Sequence, residues 1–584
     1  MISSVQTAPA TPFQGSGSGA LTRVARLALG GALGLPWLFI WQGLDFTDQG
    51  YLLTGYRCFF RHPEATEDSA NLWLTNLVGA SWDALFGSLG VLGMRALWAL
   101  CMSLCVWLAF ALASALSNAR AAALSALVTS AFLSDRHATW FSYNALSTVL
   151  FSGAAACLIH GVRQRSARWL FAAGVLIGMG PFARLPNLLA CSFVAALGFA
   201  AVLDAQRRAR LLSDLGAACL GVAVGVSGML ALIYARGDAE QYFRSVRNLF
   251  APSAQAAGYS AHSLLGTFVR DQALALSWGL GACAGGVALT RMFRWRPGSA
   301  RWLVPLVCAG GVFVLTHKSQ SWRWLVPGCS YLVLGAVMLG TWKRPVEQRV
   351  AACVLLLLVL IAPLGSNLGI KNAHIGLWFA LPFTLALLYA LEEPWLGGHG
   401  PKLALLASLV LSGEALYQAA TYTYRDSARI RLTASVGHPQ LFGQFTSPER
   451  AQSVREVLAA LESRVAPGDY LLAYEGTPLL QYLTRTRPYL NRPWLMANES
   501  AAVVMELARE TPQRTGCLPV AVVTTKSARG FEWPAHPDPL EAREPYAGVR
   551  RALRGFFQTN GYSRSWSNGF FEIFEPMGKH VTCR

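Results

Sequence analysis

Two aspartates three residues apart, Asp45 and Asp48, stand in the run Asp45-Phe46-Thr47-Asp48-Gln49-Gly50-Tyr51, directly after an apolar stretch. If the helix of that stretch continues, the spacing puts both carboxylates on one face. A carboxylate held at a lipid–water boundary can take a proton from an incoming hydroxyl or amine, or ligate a divalent metal. An acidic helix end that only terminates the stretch would carry the same residues. A third acid, Asp135, lies in Ser134-Asp135-Arg136-His137-Ala138-Thr139-Trp140. It can act with the first two, or simply pair with Arg136.

Three further segments between apolar blocks place cations beside hydrogen-bonding residues. They are Pro181-Phe182-Ala183-Arg184-Leu185-Pro186-Asn187, Thr316-His317-Lys318-Ser319-Gln320-Ser321-Trp322-Arg323 and Gly365-Ser366-Asn367-Leu368-Gly369-Ile370-Lys371-Asn372. Cations at a membrane boundary suit a lipid-linked phosphate or pyrophosphate. They also suit ordinary lipid headgroups. Arg57, in the segment that opens with Asp45, completes the set of candidate donor-phosphate ligands: Arg57, Arg184, His317, Lys318, Arg323 and Lys371.

The elements that must position these residues are read from composition. Of 584 residues 53% are apolar and 14% charged, against about 25% charged in a soluble domain. Apolar blocks fall near 26–43, 95–116, 119–133, 145–161, 169–183, 187–203, 212–234, 271–290, 302–316, 324–341, 350–364, 375–391 and 403–420. That pattern predicts a polytopic α-helical membrane protein with about thirteen spans. Alternation from a cytoplasmic N-terminus puts Arg120, Arg163, Arg165, Arg168, Arg207, Arg208, Arg210, Arg291, Arg294, Lys343, Arg344 and Lys402 inside, as the positive-inside bias requires. The net charge of +18 is spread over these loops and gathers in no single patch, which argues against nucleic acid as a partner. Residues 1–22 read as a disordered tail and 23–420 as the transmembrane domain. Within it, 44–94 is a long first outer loop whose later part suggests amphipathic surface helices. Arg23 and Arg26 before the first block resemble a signal peptide, but no small-x-small cleavage pattern follows, so an uncleaved first span is expected.

Residues 421–584 change to the composition of a soluble α/β domain, expected on the extracytoplasmic side. Tyr470–Tyr474, Val520–Thr524 and Phe570–Phe574 read as strands and Gln452–Arg464 as a helix. The twelve cysteines include no CxxC pair, which argues against a structural zinc site. Cys517 and Cys583 fall in the outer domain, where a disulfide is permitted; the sequence leaves open whether they meet. Tyr474-Glu475-Gly476 and Arg485, Arg487 and Arg492 can shape an acceptor site or form a solvated face.

The span pattern, the acidic first and second outer loops and the C-terminal α/β domain together resemble the GT-C glycosyltransferases. These include lipid A aminoarabinose transferases and protein O-mannosyltransferases. The resemblance implies a catalytic carboxylate at Asp45 or Asp48 with Asp135 assisting, and cations from Arg184, Lys318, Arg323 and Lys371 on the donor phosphate. It implies sugar transfer from a polyprenyl-phosphate donor to a glycan, lipid or protein acceptor, at the outer face of the plasma (inner) membrane. The acids here are Asp-x-x-Asp, not an adjacent pair, which leaves open which one is the base. A divalent metal at Asp48 and Asp135 stays open as well. Two other classes fit a polytopic chain: a transporter or flippase of lipid-linked sugars, and a non-catalytic envelope assembly protein. The first would favour buried charges at mid-membrane and repeated halves; the second would leave the loop acids dispensable.

Overall fold

Each apolar block overlaps a helix among the described residues. In chain order these are Arg23–Leu38, Gly90–Leu116, Ala119–Leu133, Tyr143–Gln164, Ala167–Ala183, Ala195–Leu203, Ala205–Arg236, Ala261–Met292, Leu303–Ser319, Trp322–Leu339, Val346–Ile361, His374–Tyr389 and Gly400–Thr421. The computed structural model describes residues 22–134, 138–250, 260–292, 303–340, 344–366, 368–390, 400–495, 501–527, 547–577 and 583. Among the described residues, seven helical segments are long and apolar enough to cross a membrane. Arg23–Leu38, Ala119–Leu133, Ala167–Ala183, Leu303–Ser319 and Val346–Ile361 are helices of 15 to 17 residues, shorter than the roughly 20 that a full crossing takes. The chain is a multi-pass membrane protein.

Contacts between the connections form two groups. At one end Arg207 pairs with Glu347 at 3.0 Å and donates to the Val162 carbonyl. Arg165 faces Asp204 there at 3.8 Å, and Arg344 donates to the Ala390 carbonyl at 3.3 Å. These are the connections that the charge pattern assigns to the cytoplasm. At the other end the long connection after Leu38 meets the segment that follows Ala205–Arg236. Trp73 Nε1 donates to Asp238 Oδ2 at 2.8 Å, Arg236 to the Phe59 carbonyl at 3.0 Å, and Arg244 pairs with Glu67 at 2.8 Å.

Close helix packing comes from small residues. Gly174 and Gly178 on Ala167–Ala183 face Gly221 and Gly225 on Ala205–Arg236, and a Cβ at any of the four would strike the opposing backbone. Small-xxx-small spacing of this kind lets two backbones approach. It also fixes the helix whose C-terminal end carries Arg184.

The first long connection is more structured than amphipathic surface helices alone. It holds a helix at Asp48–Cys58, a 3₁₀ segment at Pro63–Leu72 and a helix at Trp73–Phe86. The last exposes Leu85 and Phe86 at its end and buries Trp73, Leu74, Thr75 and Asn76. Three expected loops are partly helical: His317 and Lys318 belong to the last turn of Leu303–Ser319, Pro181–Ala183 to a helix end, and Gly369–Ala373 to a 3₁₀ turn.

The C-terminal region carries a short antiparallel pair, β1 (Ala434–Ser435) and β2 (Phe445–Thr446). It is followed by a five-stranded sheet of β3 (Tyr470–Tyr474), β4 (Arg487–Pro488), β5 (Val520–Thr524), β6 (Tyr562–Ser567) and β7 (Phe571–Pro576), in the order β4-β3-β5-β7-β6. β3, β4 and β5 are parallel and β6 and β7 form an antiparallel hairpin. The expected strands at β3 and β5 coincide with the structure; the third begins one residue later and runs two longer. The expected helix is Pro448–Glu462, capped by the Ser447 side chain on the Arg450 N–H. Cys517 and Cys583 are joined in a disulfide.

The first long connection docks on this domain. Gly43 N–H donates to the Phe445 carbonyl at 2.9 Å, Leu479 N–H to the Phe46 carbonyl at 3.2 Å, and Thr54 Oγ1 to the Pro478 carbonyl at 3.0 Å. Gly50 touches the Pro478–Thr484 helix so closely that a Cβ would run into the Leu479 backbone nitrogen. Gly50→Ala must therefore part the two helices, at a cost of about 1–3 kcal/mol as for other overpacked sites. Thermal unfolding in detergent should show a lower midpoint for Gly50→Ala than for Gly34→Ala, where a Cβ meets nothing. Equal midpoints would contradict the docking.

Candidate active site

Asp45 and Asp48 do not share a helix face, because the first helix stops at Leu38 and a new one starts at Asp48. The intervening chain turns at Gly43, which adopts φ +90, a conformation glycine takes without a Cβ penalty. Asp45 is buried, and its carboxylate organises the turn. Oδ1 accepts from Thr47 N–H at 3.0 Å and Thr47 Oγ1 at 2.6 Å, and Oδ2 accepts from Gln49 N–H at 2.9 Å. An aspartate in this position satisfies helix N–H groups that would otherwise be orphaned. Asp48 differs: its side chain is 36% exposed. Its Oδ2 accepts from the Tyr424 hydroxyl at 2.7 Å and from Arg425 Nη2 at 2.8 Å.

Tyr424 and Arg425 were not singled out by the sequence, although Tyr424-Arg425-Asp426 is a polar cluster just past the last apolar block. Arg425 also faces Asp45 Oδ1 at 3.7 Å and donates to Thr47 Oγ1. Burial opposes its charge, but Asp45 and Asp48 outweigh that and push its pKa above the usual arginine value. Burial, reinforced by Asp48, pushes the Tyr424 hydroxyl well above the usual phenol range. Tyr424 therefore stays protonated and donates, and Asp48 sits between two donors that hold it in place.

Asp426 anchors this group from below. Its Oδ2 accepts from Leu44 N–H and Thr446 Oγ1, both at 2.7 Å, and Oδ1 lies 3.3 Å from Arg450 Nη1. Arg450 also donates to the carbonyls of Leu44 at 3.0 Å and Arg425 at 2.7 Å. Arg95 donates to the carbonyls of Ile40, Gln42 and Gly43 and to Gln49 Oε1. Burial pushes the Asp426 carboxyl up, with the Arg450 guanidinium opposing it.

The cations divide. Arg323 and Lys371 line one small pocket, together with Phe132, Leu133, Trp322 and His374. Arg323 stacks on Trp324 at 3.9 Å, and its Nε is buried without a hydrogen-bond partner. Arg184 is buried over the Tyr143 ring at 5.8 Å and near enough to His374 to act on it electrostatically. Two candidates are engaged elsewhere. Arg57 donates to the Tyr482 carbonyl and to Gln440 Oε1 at 2.9 Å, faces Asp83 at 3.8 Å, and stacks on Tyr482. His317 meets buried Glu414 at 3.2 Å between two apolar helices. Lys318 is exposed one residue on.

Asp135 lies outside the described residues; the described residues on either side of it reach the two regions. Leu133 lines the cation cavity, and Trp140 packs edge-on to Tyr424 at 5.1 Å. Among the described residues no three His, Cys, Asp or Glu side chains gather as metal ligands. Asp45 is committed to backbone N–H groups and Asp48 to Tyr424 and Arg425; Asp135, the other residue of the expected metal site, lies outside the described residues.

Breaking the buried Arg450–Asp426 pair from one side leaves an uncompensated charge, which typically costs about 3–5 kcal/mol. Arg450→Met should lower the unfolding midpoint strongly, and adding Asp426→Asn should recover part of the loss. Additive losses in the double variant would show that the two residues do not act as a pair.

Residues 73–234 match the family described as dolichyl-phosphate-mannose-protein mannosyltransferase. The matched segment contains Arg95, Asp135 and Arg184; Asp45 and Asp48 precede it. No curated protein matches the chain. Among solved structures, ArnT from Cupriavidus metallidurans bound to undecaprenyl phosphate is similar over 94% of this chain and 97% of that one, at 14% identity and a TM-score of 0.47. The Archaeoglobus fulgidus oligosaccharyltransferase in complex with Zn and sulfate is similar over 86% of this chain and 68% of that one, at 11% identity and a TM-score of 0.44. The same enzyme tethered through a disulfide to an acceptor peptide containing the NVT sequon covers 95% of this chain and 74% of that one, at 12% identity and a TM-score of 0.44. Through residues 73–234 this chain resembles the GT-C membrane glycosyltransferases.

Proposed function

We propose that this protein transfers a sugar from a polyprenyl-phosphate donor to an acceptor at the outer face of the plasma membrane. The observation that carries this reading is the contrast between the two aspartates: Asp45 is buried in backbone contacts, whereas Asp48 is accessible and held by Tyr424 and Arg425. Asp48 is then the general base. It takes the proton of the acceptor hydroxyl as that oxygen attacks the anomeric carbon, and the bond from that carbon to the phosphate oxygen breaks. Arg323 and Lys371 stabilise the phosphate that leaves, and the apolar wall of Phe132, Leu133 and Trp322 lies against the first part of the lipid. Arg184 supports this charge from the neighbouring helix end. Asp45 positions the turn and so sets the direction of Asp48.

Orientation follows from charge. The end that gathers Arg163, Arg165, Arg207, Arg208, Arg210 and Arg344 is the cytoplasmic one. The N-terminus then lies inside, and Asp48 and the domain beyond Thr421 outside.

Asp48→Asn should lower transfer by at least about a hundredfold, the scale of a lost general base, with the unfolding midpoint unchanged. A radiolabelled polyprenyl-phosphate sugar and membrane acceptors provide the assay, and full transfer by Asp48→Asn would sink the assignment. Arg323→Ala and Lys371→Ala should each weaken binding of undecaprenyl phosphate roughly tenfold or more, since a hydrogen bond to a charged group contributes about 1.5–3 kcal/mol. His317→Ala and Arg57→Ala should leave that affinity in place. Native mass spectrometry with titrated lipid distinguishes the two pairs.

A further inference from the structure

The chain between β1 and β2, residues 436–444, lies across two helix ends. Gly443 adopts φ +68, and a Cβ there would sit 3.0 Å from Trp41 Cζ3 and 3.4 Å from Leu92 Cδ2. A Cβ at Gly90 would run into the Gln440 carbonyl. Gln444 Nε2 donates to the Ile40 carbonyl and Phe445 N–H to the Trp41 carbonyl, both at 2.9 Å. This loop of the C-terminal domain is therefore held against the C-terminal end of Arg23–Leu38 and the N-terminal end of Gly90–Leu116.

Large apolar side chains face outward along this junction. Phe442, in the loop, is 68% exposed. Ile430, in the 3₁₀ turn Arg429–Arg431, is 73% exposed. Arg429 ties that turn to the same helix end: its guanidinium lies over the Phe39 ring at 4.5 Å and donates to Gln42 Oε1 at 3.0 Å. Phe445, Trp41 and Leu38 are exposed as well. Single exposed apolar residues are ordinary on a protein surface, but a group of five at one junction marks a surface that something covers.

The first helix shows what covers it. Its buried residues are small, namely Ala25, Ala28, Ala32 and Pro36, and small residues pack membrane helices together. Its outward residues include Leu27 and Leu38, which are about three helical turns apart and so lie on one side. In a multi-pass membrane protein that outward apolar side is solvated by lipid. It continues from Leu38 to Trp41 and, through Gly443 against the Trp41 ring, to Phe442. Tryptophan is enriched where lipid meets water.

We propose that Phe442 and Ile430 insert among the acyl chains of the bilayer leaflet on the Asp48 side, seating the C-terminal domain on lipid with Trp41 at headgroup level. The occupant is lipid because the patch is continuous with the lipid-facing side of the first helix. An apolar group flanked by cations suits that boundary; Arg429 and the exposed Arg431 stand on either side of Ile430. The seating is independent of the reaction. It bears on the site through β2, where Phe445 pairs with the chain at Gly43 and the next residue, Thr446, binds Asp426.

Photocrosslinking tests the seating. Full-length protein with p-benzoylphenylalanine in place of Phe442, Ile430 or Met505 is reconstituted in liposomes of phosphatidylethanolamine and phosphatidylglycerol, irradiated, digested and read by mass spectrometry. Met505 is the control. It is exposed on the Ala501–Thr515 helix, which packs with Leu472 and Tyr474 of β3, whereas Leu471 and Ala473 pack toward the membrane helices. Phospholipid adducts should form at positions 442 and 430 in at least threefold higher yield than at 505. Both replaced side chains are exposed, so the fold tolerates the exchange. Yields at 442 and 430 no higher than at 505 overturn the proposal. Covalent dimers at 442 in place of lipid adducts also overturn it, by putting a second copy of the chain on the patch. Lipid adducts at one of the two positions alone overturn the insertion of the other.

Discussion

Asp426 is buried among donors that come from distant parts of the chain. Leu44 belongs to the connection after the first helix, and Thr446 and Arg450 to the C-terminal domain. A buried carboxylate costs several kcal/mol unless charge and hydrogen bonds surround it. The chain therefore reaches this state only when all three contributors arrive together. Tyr424 and Arg425, the two residues before it, are carried to Asp48 by the same event. The proposed base and its partners are thus placed by a junction in which neither Asp48 nor any lining residue of the cation cavity takes part.

Arg95 does similar work from the membrane side. Its guanidinium donates to three carbonyls of one short loop, those of Ile40, Gln42 and Gly43. The carbonyls of a loop that has left its helix need donors, and a buried arginine supplies several from one rigid fork. With Asp45 satisfying the N–H groups of Thr47 and Gln49, both polarities of this turn are met by side chains. That is why a non-helical stretch can persist beside the bundle without water, and why the helix after it begins at Asp48.

The helical blocks were legible because a bilayer leaves apolar length as a plain signal. The contacts of Arg165, Arg207 and Arg344 lie in connections that the charge pattern had grouped on one side. β3 and β5 could be read as short apolar runs. β4, at two residues, and the polar β6 hairpin strand could not, since each depends on a neighbour for its existence. At the site, the types of residue were visible but their division of labour was not. Arg57 and His317 looked like the other boundary cations, yet each is consumed by a partner remote in sequence: Tyr482 and Gln440 for one, Glu414 for the other. Spacing also suggested that Asp45 and Asp48 share a helix face, which holds only for a continuous helix. The glycine turn at Gly43 breaks that premise.

That break separates the roles of two chemically identical side chains. Before a helix start, an aspartate is drawn inward by unsatisfied N–H groups; at the first helical position, it projects outward. Asp45 and Asp48 occupy those two positions, so one becomes structure and the other stays accessible. A continuous helix would have placed both on one surface with neither fixed. Pairing by Tyr424 and Arg425 adds the remaining constraint: both donors bind the same oxygen, Oδ2, and so define the plane of the Asp48 carboxylate. A carboxylate oriented in this way, in the role of base proposed for it, loses little conformational freedom when an acceptor arrives, and such preorganisation is where a fixed scaffold lowers a barrier most directly.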